Sequence, residues 1–218
     1  VVLAFVREPA LPETTTAAAA AAAPGVWDSL REVSRGDNPN GRYILLAIFC
    51  WFIAWNAVEA FFTLYVRNVL GIAVGSGTQM LTAFAAMLIL FAIPSGLIAT
   101  RIGRKPTIMM GLIGMTVGLI LALVLTNTLL LLVLLALMGG FWALVNINSL
   151  PMVYDVGGNH SIGALTGLYY FASSLAAITG PIVAGGLIDL TSHRVIWPFA
   201  AVFMLLALVM MRRIKVEK

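Results

Sequence analysis

The sequence predicts an all-α integral membrane protein with six transmembrane helices. Three observations predict it. Of 218 residues, 61% are hydrophobic and only 10% charged, against about 25% charged in soluble domains, so polar surface is too scarce to cover a soluble globule. From residue 43 onward the chain is a succession of apolar runs, each near the ~20 residues that cross about 30 Å of hydrocarbon. The cations lie in the breaks between those runs and not along one amphipathic face. The net charge of +4 therefore points to orientation in a membrane and not to nucleic acid.

The elements follow in order. Val1 to Val6 are apolar and lead into Arg7-Glu8-Pro9. A signal peptide would carry its positive charge first, so residues 1–8 read as the tail of a preceding membrane helix, and the chain as a fragment of something longer. Residues 9–42 are a linker, Thr- and Ala-rich up to Pro24-Gly25. Within it Val26, Trp27, Leu30 and Val33 recur at helical spacing, with Asp28, Arg31, Glu32 and Arg35 between them. They form either a short amphipathic helix on the membrane surface or a disordered stretch with a few apolar residues. Asp37-Asn38-Pro39-Asn40-Gly41 reads as a helix break. The six expected spans cover residues 43–66, 78–100, 106–126, 128–153, 162–190 and 195–211 of a bundle running over residues 43–213. Residues 214–218 form a tail. Thr126-Asn127-Thr128 alone separates the third and fourth spans. Tyr43 and Trp197 lie near span ends and read as interface anchors.

The stretch Gly96-Leu97-Ile98-Ala99-Thr100-Arg101-Ile102-Gly103-Arg104-Lys105 joins the second and third spans. Three cations and two glycines in so short a stretch do not belong in hydrocarbon, so it reads as a loop at one membrane face. With this loop in the cytoplasm, only Arg67 and Arg194 of the 13 cations are outside. Both termini of the chain are then cytoplasmic.

The polar residues inside the spans are the candidates for function. Asn56, Glu59 and Thr63 fall on one face of the first span. Glu59 is the acid deep within a span, about 24 Å from the cytoplasmic end. A carboxylate there costs about 2.5–3.5 kcal/mol, and no Lys, Arg or His of the spans is placed to offset it. A carboxyl that gains and loses a proton beside a water-filled cavity suits proton coupling; a neutral acid hydrogen-bonded to a neighbouring helix is the alternative. Asn146 and Asn148 in the fourth span are two apart and point to different faces, one toward a cavity and one toward a neighbour. The fifth span holds Thr166, Tyr169, Tyr170, Ser173 and Ser174. These neutral donors and aromatic planes suit a polyhydroxylated ligand, and inter-helix hydrogen bonds nearly as well. Gly114/Gly118 and Gly163/Gly167 have the spacing of close helix packing. Pro94 and Pro181 are expected to kink their helices. The single Cys50 supports neither an internal disulfide nor a metal site. No cluster of ligands or paired acids calls for a cofactor or for catalysis.

The 96–105 stretch resembles the loop signature of the major facilitator superfamily, G-x-x-x-D-R-x-G-R-K/R, and departs from it at Thr100, where the family usually has Asp. Phe52-Ile53-Ala54-Trp55-Asn56-Ala57-Val58-Glu59-Ala60-Phe61-Phe62 and Asn146-Ile147-Asn148-Ser149-Leu150-Pro151-Met152 look most like bacterial relatives of the sucrose-type sugar symporters. The resemblance implies the C-terminal half of a twelve-helix transporter working by alternating access. Residues 9–42 would be the central cytoplasmic loop and the first, second, fourth and fifth spans would line half of a cavity. Its partners would be an N-terminal six-helix half, a small polar solute, a coupling cation (a proton or sodium) and the lipid of a bacterial inner (plasma) membrane. Glu59, Asn56, Thr63, Asn146, Asn148, Tyr169, Tyr170 and Ser173 would contact substrate or coupling ion. Gly96, Arg101, Gly103, Arg104 and Lys105 would form the cytoplasmic gate loop, with Asp155 pairing to Arg101 or Arg104. An efflux carrier of the same fold and a non-transporting receptor or scaffold are the other readings.

Overall fold

The computed structural model describes residue 31 and residues 39–156 and 162–215. The expected helix tail at residues 1–8 and most of the linker with its amphipathic helix lie outside the described residues. Six long helices make up the rest: α1 Pro39–Val69, α2 Val74–Ile102, α3 Arg104–Val124, α4 Thr128–Val156, α5 Ile162–Leu190 and α6 Ile196–Arg213, with a short 3-10 turn His193–Val195 leading into α6. Each is long and apolar enough to cross a membrane.

The helix ends follow local chemistry. The residues before Pro39 at the break expected over Asp37–Gly41 lie outside the described residues, and α1 is described from Pro39 onward. Proline suits a first turn, where its fixed φ is helical and its missing N–H would have had no partner. Asn127 opens α4, its Oδ1 accepting from the N–H groups of Leu129 and Leu130 at 3.0 and 3.1 Å. That cap satisfies two donors that the helix leaves open. The cationic loop shrinks to Gly103 alone, at φ +93°. Its N–H reaches Ala99 O at 2.9 Å, while its own carbonyl accepts from the Thr107 hydroxyl at 2.8 Å. Arg101, Arg104 and Lys105 are therefore helical residues flanking a one-residue joint.

The helices pack with an internal two-fold. α4 packs on α2 and α3, α1 packs on α5 and α6, and α3 packs on α6. Exchanging α1 with α4, α2 with α5 and α3 with α6 maps this set onto itself. Successive spans reverse direction, so α1 and α4 are antiparallel and the axis lies in the membrane plane, as in inverted repeats. One sequence offset relates Trp55 to Trp142, Glu59 to Asn146, Asn68 to Asp155 and Pro94 to Pro181.

The core lies where α1, α3, α4 and α6 meet, with Trp51, Phe62, Tyr65, Leu112, Met115, Leu135 and Trp197 fully buried or nearly so. Trp197 is not an interface anchor. Its ring stands edge-on to Tyr65 at 5.2 Å and to Phe62 at 5.9 Å. Small residues allow close approach. Gly111, Gly114 and Gly118 of α3 lie against Phe141 and Met138 of α4, and Gly139 of α4 against the Phe84 carbonyl of α2. A Cβ added at Gly163 or Gly167 would meet no described atom within 4 Å, so this pair does not mark a close approach. α2 and α5 stand at the flanks with large apolar residues exposed, among them Ile89, Ile93, Ile178 and Ile182.

Candidate functional site

α1, α2 and α4 line a half-open pocket of about 450 Å³, within the range of small-molecule sites. Phe52, Trp55, Asn56 and Glu59 come from α1, Leu81, Phe84, Ala85, Leu88 and Ile89 from α2, and Trp142 and Asn146 from α4. Its walls are aromatic. Trp55 stacks on Phe84 with centroids 3.9 Å apart and planes at 11°. Trp142 lies 5.7 Å from Trp55 and edge-on to Phe52, also at 5.7 Å. The offset between the repeats places Trp55 beside Trp142 across the two-fold, and both Glu59 and its counterpart Asn146 on the lining. Two related helices thus supply the same positions to one space.

Glu59 is the ionisable residue among the lining groups, and no cation stands with it. It is exposed on α1, without an ion pair among the described residues. Asn56 donates through Nδ2 to Phe52 O at 2.7 Å. The cavity therefore offers a carboxyl, two amides and aromatic faces. That set suits hydroxyl groups or a cation and disfavours an anion.

The other expected residues sit elsewhere. Thr63 shares the α1 face, but its Cα packs against Gly77 of α2 and it does not line the cavity. Asn148 is 3% exposed and donates to Leu144 O at 3.0 Å, so it faces the bundle while Asn146 faces the cavity. Tyr169 is buried, its hydroxyl 3.0 Å from that of Ser149, and its ring stands edge-on to Phe52 at 6.2 Å. Tyr170 is exposed, and Ser173 donates to Tyr170 O at 3.2 Å. Tyr154 and Thr166 share a hydroxyl contact at 2.8 Å. α5 thus forms a polar face beside the cavity, reaching it through the Phe52 ring. Trp55, Phe84 and Trp142 were missed as site residues. The repeated tryptophan, each followed four residues later by a polar group, was the signal that would have found them.

At the far end of α2, Arg104 forms an ion pair with Asp155 across the α3–α4 seam. Lys105 Nζ donates to Ile214 O at 2.6 Å and Arg212 O at 3.3 Å, closing the last turn of α6 where a cation is favoured. The Asn40 side chain exchanges two 2.8 Å hydrogen bonds with the Lys215 backbone. The signature cations thereby tie α3, α4 and α6 together. Arg101 makes no ion pair among the described residues, and Gly96 lies on α2 with open space where a Cβ would be. Among the described residues no cluster of His, Cys, Asp and Glu is arranged to hold a metal.

A family model described as Major Facilitator Superfamily matches residues 44–218, most of the chain. A search of curated proteins gave no match. Among solved structures the fold is similar to that of the peptide transporter POT, crystallised in complex with sulfate, with a TM-score of 0.73 and 20% identity. The superposition covers 82% of this chain and 38% of that one. The chain thus spans well under half the length of that transporter.

Proposed function

Because this chain belongs to the Major Facilitator Superfamily, we propose that it is the C-terminal half of a secondary active transporter of a small polar solute, working as a proton-coupled sugar symporter by alternating access. The solute binds between this half and an N-terminal half, and the Arg101–Lys105 end faces the cytoplasm of a bacterial inner membrane. The observation behind this reading is the cavity. Glu59, Asn56 and Asn146 line one half-open pocket together with Phe52, Trp55, Phe84 and Trp142, and no Lys, Arg or His is among the lining residues. Amide and carboxyl groups hydrogen-bond sugar hydroxyls, and the Glu59 carboxyl binds and releases the coupling proton.

The test is uptake into proteoliposomes holding the native polypeptide, with a panel of labelled mono- and disaccharides and an imposed proton gradient. Wild type accumulates one class of sugar. Glu59→Gln loses accumulation but retains counterflow exchange of the same sugar. Gradient-driven accumulation that survives Glu59→Gln would refute the coupling role. A second reading, efflux of lipophilic organic cations, is favoured by one carboxyl among mostly apolar lining residues with no Lys, Arg or His beside it. Binding of a quaternary ammonium probe with no sugar uptake would select it.

A further inference from the structure

The offset that relates Trp55 to Trp142 and Glu59 to Asn146 extends to α2 and α5. On α2, Leu81, Phe84, Ala85 and Leu88 line the pocket. At the same offset α5 carries Leu168, Phe171, Ala172 and Leu175, the same four residue types in the same order. Repeats that keep one pocket wall twice supply the walls of a second pocket, built from α4, α5 and α1. That mate is closed. Leu168 and Ala172 are buried, whereas Leu81 is half-buried and Ala85 exposed in the open pocket.

The Phe52 ring stands where the mate would be. It is edge-on to Trp142 of α4 at 5.7 Å and to Tyr169 of α5 at 6.2 Å. Its counterpart in the second repeat is Gly139, which has no side chain to fill the open pocket. Phe52 also lines that open pocket, whereas Ser149 and Tyr169 do not. The ring is therefore a partition. On one side is the open pocket, and on the other are the buried hydroxyls of Ser149 and Tyr169, 3.0 Å apart.

We infer that Phe52 plugs a second, latent subsite between α4 and α5, and that its bulk sets how long a polyhydroxylated solute the pocket accepts. The role in solute size rests on the transporter reading above; the latent subsite does not. Removing a large ring from a packed site leaves space that its neighbours fill only in part. The pocket then runs on to Ser149 and Tyr169, whose hydroxyls both donate and accept and so suit one further sugar unit.

The test has two arms on the native polypeptide in proteoliposomes. In the first, Ser149→Cys is introduced with Cys50→Ala and any other cysteine replaced, and is treated with a small water-soluble methanethiosulfonate. A thiol buried in apolar surroundings is inert, and one that water reaches reacts. The introduced thiol is expected to stay unmodified behind Phe52 and to react progressively faster in Phe52→Leu, Phe52→Val and Phe52→Ala. The milder members of this series decide the matter where alanine does not fold. In the second arm, labelled saccharides of increasing length are offered. Uptake of the next longer saccharide, relative to the one the wild type prefers, is expected to rise about 10- to 200-fold in Phe52→Ala, the span of discrimination by apolar pocket shape. Phe52→Trp lowers the same ratio. A thiol that reacts equally well with Phe52 in place, or in none of the variants, overturns the latent subsite. A thiol unmasked by the truncations with an unchanged uptake ratio overturns the size role and leaves the transporter reading standing. A wild type that moves no saccharide overturns the sugar reading and the size role with it, while the thiol arm still decides the subsite.

Discussion

Gly139→Ala is the sharpest test of the cavity's construction. A Cβ at Gly139 would stand 2.1 Å from the Phe84 carbonyl oxygen and 3.1 Å from its Cα. Non-bonded contacts of a Cβ below 3.0 Å are essentially never seen. Both obstructing atoms are backbone, so no rotamer change relieves them, and α2 must move from α4 by about 1 Å. Overpacking of this kind costs about 1–3 kcal/mol. The displaced helix carries Phe84, which stacks on Trp55 at 3.9 Å and walls the cavity. A wall misplaced by about 1 Å can lower turnover by up to about 100-fold. Gly140→Ala is the control. A Cβ there has the Phe91 ring at 3.5 Å as its nearest neighbour, an ordinary contact, and the change is neutral or stabilises by up to about 1 kcal/mol through helix propensity. The assay pairs thermal unfolding in detergent with solute-dependent quenching of tryptophan fluorescence. The expected result is lower thermal stability and a lost or weakened fluorescence response in Gly139→Ala alone. If the two alanine variants behave alike, the close approach of α2 and α4 is not what shapes the site.

Other outcomes follow from the same geometry. Trp197 Nε1 is buried with no hydrogen-bond partner among the described residues; Trp197→Phe keeps the ring cluster and removes that N–H, so stability changes by less than about 1 kcal/mol or rises, whereas Trp197→Ala loses about 3–5 kcal/mol. Thermal unfolding separates the two. The Arg104 and Asp155 side chains are 42% and 36% exposed, so Asp155→Asn costs no more than about 1 kcal/mol of stability while it changes transport rate. An equal loss in both readouts would make the pair merely structural. Lys105→Met removes the cation at the α6 C-terminus and lowers stability by about 0.3–1 kcal/mol, an effect that shrinks as salt is raised. A loss insensitive to salt would point to packing instead.

How much was legible in the sequence follows from what hydropathy reports. Span number and position come from apolar length, and all six were readable within a few residues. The first helix runs a turn further back than hydropathy suggests, to Pro39, because Pro39 to Arg42 are polar or small and add nothing to an apolar run. Spacing placed Asn56, Glu59 and Thr63 on one face, and they share it. It did not tell that α2 covers Thr63 through Gly77 while the cavity opens one turn away. In α4 apolar residues stand on every side, so hydropathy does not mark which side meets a neighbour; Asn146 and Asn148 were separable as two faces but not assignable. Trp197 sits at a span end and has the composition of an anchor, yet the bundle closes over it because Phe62 and Tyr65 of α1 pack there. The aromatic walls stayed hidden because tryptophan and phenylalanine in a membrane helix look the same whether they face lipid, core or a ligand.

Gly103 has a mechanical consequence. A link of several residues between helices works like a slack rope: one helix can shift while the other stays. Between α2 and α3 there is no rope, only a single pivot whose φ of +93° few other residues could hold. One arm of this bell-crank, α2, carries Leu81, Phe84, Ala85, Leu88 and Ile89 along the pocket. The other begins at Arg104 and Lys105, which grip the ends of α4 and α6. A push on the long arm is delivered to those grips without lost motion. An occupied cavity and the far surface of the membrane are thus geared together by one residue, and inserting even a short flexible spacer after Gly103 would disengage them.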